Sequence, residues 1–176
     1  MIFLGNSISD GCEWNELFEN PHIRNRGISG DVVMGVYDRL DPVLKGRPAK
    51  IFLMIGINDV SHDLTADSIL TMIKMVVNRI KVEAPKTKLY IQSILPVNDA
   101  FTRFPKIHNK SQVIVDINKG LAILAQENNC TYVDLYPYFI APGTQHLDKK
   151  YTNDGLHLLG EGYLLWKEVI RRYIKE

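Results

Sequence analysis

Cysteine is scarce: Cys12 and Cys130 are the only two in 176 residues. They are too few for a disulfide framework or a four-ligand zinc site, and their spacing gives no support for a single bridge. Charge of one sign is lacking as well. Lys and Arg total 21 against 20 Asp and Glu, a formal net charge of +1. No basic excess points to nucleic acid and no acidic excess to a solvating tail. No apolar run approaches the ~18 residues that a membrane span needs. The apolar run Ile2-Phe3-Leu4-Gly5 follows Met1 directly, without the charged n-region and cleavage site of a signal peptide. Read literally, the protein is cytoplasmic; with a leader removed, it would be periplasmic or secreted. The segment Gly5-Asn6-Ser7-Ile8-Ser9 has no glycine after its first serine, which excludes the G-x-S-x-G elbow of the α/β-hydrolases.

What is present is an ordinary globular composition. Hydrophobic residues make up 45% and charged residues 23%, so a disordered chain is excluded. The length predicts one domain, residues 1–176. A chain of this size buries about 70% of the surface exposed when unfolded, enough for a single core.

Short apolar runs alternate with longer periodic segments. Strands are expected over residues 2–5, 22–27, 50–56, 88–94 and 131–136. The third is unbroken in its apolar stretch, as a central strand buried on both faces should be. Helices are expected over 65–84, 110–129 and 158–174, with weaker ones over 13–19 and 32–44. The first of these carries Ile69, Ile73, Val76, Val77 and Ile80 on one stripe, with Thr65 as N-cap and Pro85 as stop. The last carries Leu165, Val169, Tyr173 and Ile174. Such a βαβ succession predicts a three-layer α/β/α sandwich. Right-handed crossovers leave few topologies, and the flavodoxin-like order 2-1-3-4-5 fits this length. Ligands in such sheets sit beyond the carboxyl ends of the strands.

Four segments lie at those ends: Gly5-Asn6-Ser7, Gly27-Ile28-Ser29-Gly30-Asp31, Gly56-Ile57-Asn58-Asp59 and Asp154-Gly155-Leu156-His157. Together they offer a hydroxyl, a glycine amide, a carboxamide, a carboxylate and an imidazole. That set supplies the nucleophile, oxyanion donors, orienting acid and general base of acyl transfer. Each segment alone has a plainer reading. Ser7 can cap a helix, Asn58-Asp59 and Asp154-Gly155 can form turns, and Gly30 can be a loop glycine.

Taken together and in order, the four segments resemble the blocks of the SGNH hydrolases, the GDSL-type esterases and lipases. The likeness extends to the platelet-activating-factor acetylhydrolase-like branch through Gly27–Asp31 and Ser93-Ile94-Leu95-Pro96-Val97-Asn98. Asn6 stands where the family name has Asp. The resemblance implies Ser7 as nucleophile, His157 as base and Asp154 as its orienting acid, with three-residue spacing bringing the last two together on a helical turn. It implies an oxyanion hole from the backbone N–H groups of Ser7 and Gly30 and the side-chain amide of Asn58. It implies no cofactor and no metal. The partner is a small-molecule ester, short in its acyl chain, with acetyl esters of carbohydrates or small lipids favoured. Nothing fixes an oligomeric state.

Other readings compete. Residues 7–12, rich in hydroxyls, also suit an FMN-binding flavodoxin, an electron carrier on the same fold, but that leaves Gly30, Asn58, Asp154 and His157 without a role. A sugar-binding relative without activity is disfavoured by the complete set. His146 and Asp148 with Asp154 and His157 match no zinc spacing. Phe101, Phe104 and Pro105, among Arg103, Lys106 and Lys110, are expected to wall the pocket or to form a solvated connection. Trp14 either lines the pocket or packs the first helix.

Overall fold

The computed structural model describes residues 1–176. Five parallel strands form its sheet: β1 (Ile2–Gly5), β2 (Arg24–Gly27), β3 (Lys50–Met54), β4 (Lys88–Gln92) and β5 (Thr131–Val133). Their order is β2-β1-β3-β4-β5, the flavodoxin-like arrangement, with helices on both faces. The register aligns Phe3 with Phe52 and Phe52 with Tyr90. Alternate residues share a face, so these rings stack across three strands, with centroids 4.9 and 4.5 Å apart. Such aromatic pairs contribute about 0.5–1.5 kcal/mol each beyond the area they bury.

Trp14 extends the stack. It lies on α2 (Trp14–Leu17), 3.9 Å from the Phe3 ring, and its Nε1 donates to Ser9 O. It is fully buried in the core and does not line the cavity that holds Ser7. On the same side α9 (Gly160–Lys175) presents Tyr163, Trp166, Ile170 and Tyr173. This corrects the expected stripe: of Leu165, Val169, Tyr173 and Ile174, only Tyr173 is fully buried. The large rings decide the rotation. Trp166 packs edge-on to Trp14 and donates to Gln92 Oε1, and Tyr163 donates to Ile8 O. The buried Lys50 ammonium donates to the Tyr173 and Ile174 carbonyls and ties the end of α9 to β3.

On the other face, α6 (Ala66–Glu83) buries the five residues of its stripe, and Thr65 Oγ1 accepts from Ser68 N as its cap. It packs beside α7 (Ser111–Glu127) and α3 (Val33–Asp38). The helix expected over 32–44 is broken in two, α3 and α4 (Leu40–Lys45). Pro42 explains the break. It lacks an N–H and clashes inside a helix, yet fits the first turn of a new one, where no N–H is needed.

Three short helices have no counterpart in the sequence reading: α1 (Ser7–Asp10), α5 (Ile57–Ser61) and α8 (Tyr136–Phe139). Two of them follow strands directly. β1 runs into α1 through Asn6, and β3 into α5 through Ile55 and Gly56. Gly56 has φ +123°, a conformation side chains rarely adopt, and it turns the chain sharply from strand to helix. These turns set Ser7 and Asn58 at the carboxyl rim of the sheet.

Candidate active site

The first turn of α1 carries Ser7. Its N-cap is Asn6, whose Oδ1 accepts from Ile8 N at 3.0 Å. The capping role open to Ser7 therefore falls to its neighbour, and the Ser7 hydroxyl is free for other work. Asn and Asp cap equally well, so the departure from the family's Asp costs nothing here. Ser7 Oγ lies 2.9 Å from His157 Nε2.

His157 and Asp154 come from the segment between a 3₁₀ turn at Lys149–Tyr151 and α9. Their spacing is closed by a non-helical turn in which Gly155 has φ +84°, rather than by a helix. His157 Nδ1 lies 2.8 Å from Asp154 Oδ2. The other carboxylate oxygen accepts from Leu156 N at 2.9 Å and His157 N at 2.8 Å. An ionised carboxylate only accepts, so Nδ1 carries the proton and Nε2 is left to accept from Ser7. Asp154 is 6% exposed. Burial pushes its carboxyl up, but the His157 and Leu156 N–H groups and the imidazole outweigh that and hold it below the usual value.

Gly30 and Asn58 reach the same rim from β2 and α5. Gly30 has φ +80°, and a Cβ there would meet nothing within 4 Å. Backbone conformation, not crowding by the protein, calls for glycine. Asn58 Nδ2 donates to Asp31 O at 2.8 Å, which fixes the direction of the amide. One cavity of about 380 Å³ is lined by Ser7, Gly30, Asn58 and His157 together. Phe104, Pro105 and Ile107 wall it, and Phe104 stands edge-on to the imidazole at 5.2 Å. Of the aromatic residues expected in that wall, Phe101 is not among its lining; it packs by Gly155 instead.

Several positioning residues escaped the sequence reading. Arg39 donates to Asp31 Oδ2, Arg26 O and Gly5 O, binding β1, β2 and the Gly30 loop together. Buried Asp59 accepts from Val33 N with both oxygens and anchors the far side of that loop. Asn98 ties its loop to the Asp154–His157 turn: its N–H donates to Gly155 O and its Nδ2 to Leu147 O, while its Oδ1 accepts from Ala100 N. Asp59 and Asn98 belong to the segments Gly56-Ile57-Asn58-Asp59 and Ser93-Ile94-Leu95-Pro96-Val97-Asn98. Arg39 carried no local signal, because its partners are remote in sequence.

The competing readings fare differently. Residues 7–10 form α1 rather than a phosphate loop, and Ser9 is 1% exposed, its hydroxyl turned inward against Gly5. The flavin reading loses its anchor. Asp148 caps the 3₁₀ turn by accepting from Lys150 N, and Asp154 is engaged with His157, so the two do not combine with His146 into a metal-ligand group.

The chain is similar to known proteins over most of its length. Platelet-activating factor acetylhydrolase IB subunit alpha1 of Pongo abelii is 29% identical over 171 residues, covering 93% of this chain and 70% of that protein. The alpha2 subunit of Rattus norvegicus is 28% identical with the same coverage. The crystal structure of a GDSL-like lipase from Bacteroides thetaiotaomicron superposes with a TM-score of 0.87 at 27% identity, over 99% of this chain and 86% of that one. The model of the GDSL-like lipase/acylhydrolase family matches residues 3–165, every one of the four strand-end segments included, and the chain belongs to that family.

Proposed function

We propose that the protein is a serine esterase that cleaves short-chain carboxylic esters, acetyl esters of carbohydrates or small lipids among them, through an acyl-enzyme on Ser7. The observation that carries this reading is the unbroken chain of hydrogen bonds from Ser7 Oγ through His157 to Asp154, opening on a cavity that Gly30 and Asn58 also line. The reading treats residues 1–176 as one catalytic domain.

The roles follow from the geometry. His157 Nε2 takes the Ser7 proton as Oγ attacks the ester carbonyl, and then delivers it to the leaving alcohol. Asp154 holds the imidazole in the required tautomer and stabilises the imidazolium. The oxyanion is met by the Ser7 N–H, which has no acceptor within α1 because it lies in the first turn. The Gly30 N–H and the second Nδ2 proton of Asn58, the first being committed to Asp31 O, complete the hole. Water then repeats the sequence on the acyl-enzyme. The small cavity favours a small ester, and the relatives named acetylhydrolases point to a short acyl chain.

The test is a serine-directed fluorophosphonate with mass spectrometry of the adduct, alongside p-nitrophenyl esters from C2 to C16. Ser7 should carry the label and C2 should be preferred. A label on another residue, or an active enzyme that takes none, removes the mechanism.

A further inference from the structure

The charges around the cavity are one-sided. Apart from His157, its charged lining side chains are Arg103 and Lys106, and no carboxylate joins them. The chain as a whole is nearly neutral, so this local excess is not a share of a general one. The nearby acids are engaged elsewhere: Asp31 with Arg39, Asp63 with Lys110 and Asp154 with His157. Neither Arg103 nor Lys106 forms an ion pair with a carboxylate of the chain, as Lys110 does with Asp63.

The segment that carries them is tied down. Ile107 is buried, His108 Nε2 bonds Phe101 O at 2.8 Å, and Asn109 N donates to Asp99 Oδ2 at 2.9 Å. The Arg103 guanidinium lies 5.7 Å from the centre of the Phe104 ring, and that ring stands against the imidazole of His157. Lys106 lines the same cavity, and Arg103 is placed by these contacts on its histidine side. In the proposed reaction that is the side of the leaving oxygen, because His157 hands it a proton.

We propose that the esters taken by this site carry an anionic group, a phosphate or a carboxylate, on the alcohol half, where Arg103 and Lys106 receive it. The proposal rests on the serine esterase reading and sharpens its substrate class. An anion beside an unpaired guanidinium and ammonium gains charge-assisted hydrogen bonds, which are shorter and stronger than neutral ones. Exposure screens that gain, so each cation should account for about two- to fivefold in kcat/KM. The attraction also fades as salt shortens the ~10 Å Debye length at 0.1 M.

The experiment compares acetyl esters matched in the reacting bond: phenyl acetate, 4-acetoxybenzoate, 4-acetoxyphenyl phosphate and the cationic 4-acetoxyphenyl trimethylammonium. Phenyl hemisuccinate puts the carboxylate on the acyl half instead. Each is assayed with the wild type, Arg103→Gln, Lys106→Gln and the double variant, and the readout is each charged ester's kcat/KM relative to phenyl acetate. In the double variant that ratio should fall by about four- to 25-fold for the two anionic alcohols and rise for the cationic one. The wild-type ratio should also decline with added salt. The phosphate and carboxylate arms show which anion is preferred. Ratios that stay constant across charge states overturn the proposal, and a fall confined to phenyl hemisuccinate overturns the placement on the alcohol half. A wild type that cleaves none of the esters and takes no label on Ser7 sinks the esterase reading, and this proposal with it.

Discussion

The two halves of the site are built in different ways. The half proposed for proton transfer is local: Asp154 and His157 lie three residues apart, and the carboxylate is held by the N–H groups of its own turn. The half proposed to hold the oxyanion is assembled from afar. Ser7, Gly30 and Asn58 come from three strand ends, and Arg39, Asp31 and Asp59 lace them together. Each half contains a buried aspartate, Asp154 at 6% and Asp59 at 3% exposure. Their carboxyls are nonetheless pushed in opposite directions. Asp154 receives two backbone N–H groups and an imidazole, which together outweigh burial and lower it. Asp59 is raised, because burial exceeds what the Val33 N–H, its own N–H and His62 return, and Asp31 adds to the rise. The carboxylate beside the imidazole is compensated by its own turn, whereas the one that anchors a loop is left partly uncompensated.

The contrast is broken most severely at the atom the halves share. Ser7→Ala removes the acceptor of the acyl group and should lower kcat on an acetyl ester by about 10⁶, with the thermal midpoint near that of the wild type. A variant that keeps a hundredth of the activity would mean that another group attacks the ester.

Next comes the local half. Asp154→Asn keeps the shape but favours the wrong imidazole tautomer, and a fall in kcat of about 10⁴ is expected. A loss of tenfold or less would show that the backbone alone orients His157. The distributed half should be more forgiving. Asn58→Ala removes one of three oxyanion donors and should lower kcat by about 10²–10³ with KM within a few-fold. A change in KM alone would reassign Asn58 to holding the loop through Asp31 O.

The same division governs what the sequence made legible. Motif residues at strand ends were readable because each block is contiguous and its residue types are those the chemistry needs. The long helices were readable because α6 and α7 repeat their apolar stripe over several turns. α1 and α5 were not, since segments of four or five residues contain no full period. The rotation of α9 was missed because Trp166 and Tyr163 fix it through contacts with Trp14, Ile8 and Gln92, far away in sequence. β5 ends early for a similar reason: Ser93 Oγ takes the N–H groups of Leu135 and Tyr136 that a longer strand would have used. Arg39 meets the Gly5 carbonyl across 34 residues. Pro42, by contrast, was a visible sign that the 32–44 pattern had to break.

The smallest expected effect is in stability, and there the two aspartates should separate by sign. The reference is an ordinary carboxyl at 3.8. Asp154 titrates below it when folded, so its contribution is present above that value and lost as pH falls through the lower, folded one. Asp154→Asn never has that contribution. It should be less stable than the wild type at neutral pH, and the gap should close in acid. Asp59 titrates above 3.8 when folded, so its contribution is present below 3.8 and is lost as pH rises through the raised value. Asp59→Asn keeps an oxygen for Val33 N and cannot ionise, so it should gain on the wild type as pH rises over that range. Urea midpoints from pH 3 to 7 measure both, with differences of about 1 kcal/mol, or 2–4 °C in thermal midpoint for a chain of this size. Parallel slopes for the two variants would mean that Asp59 is as well compensated as Asp154, and that the laced half of the site carries no uncompensated charge.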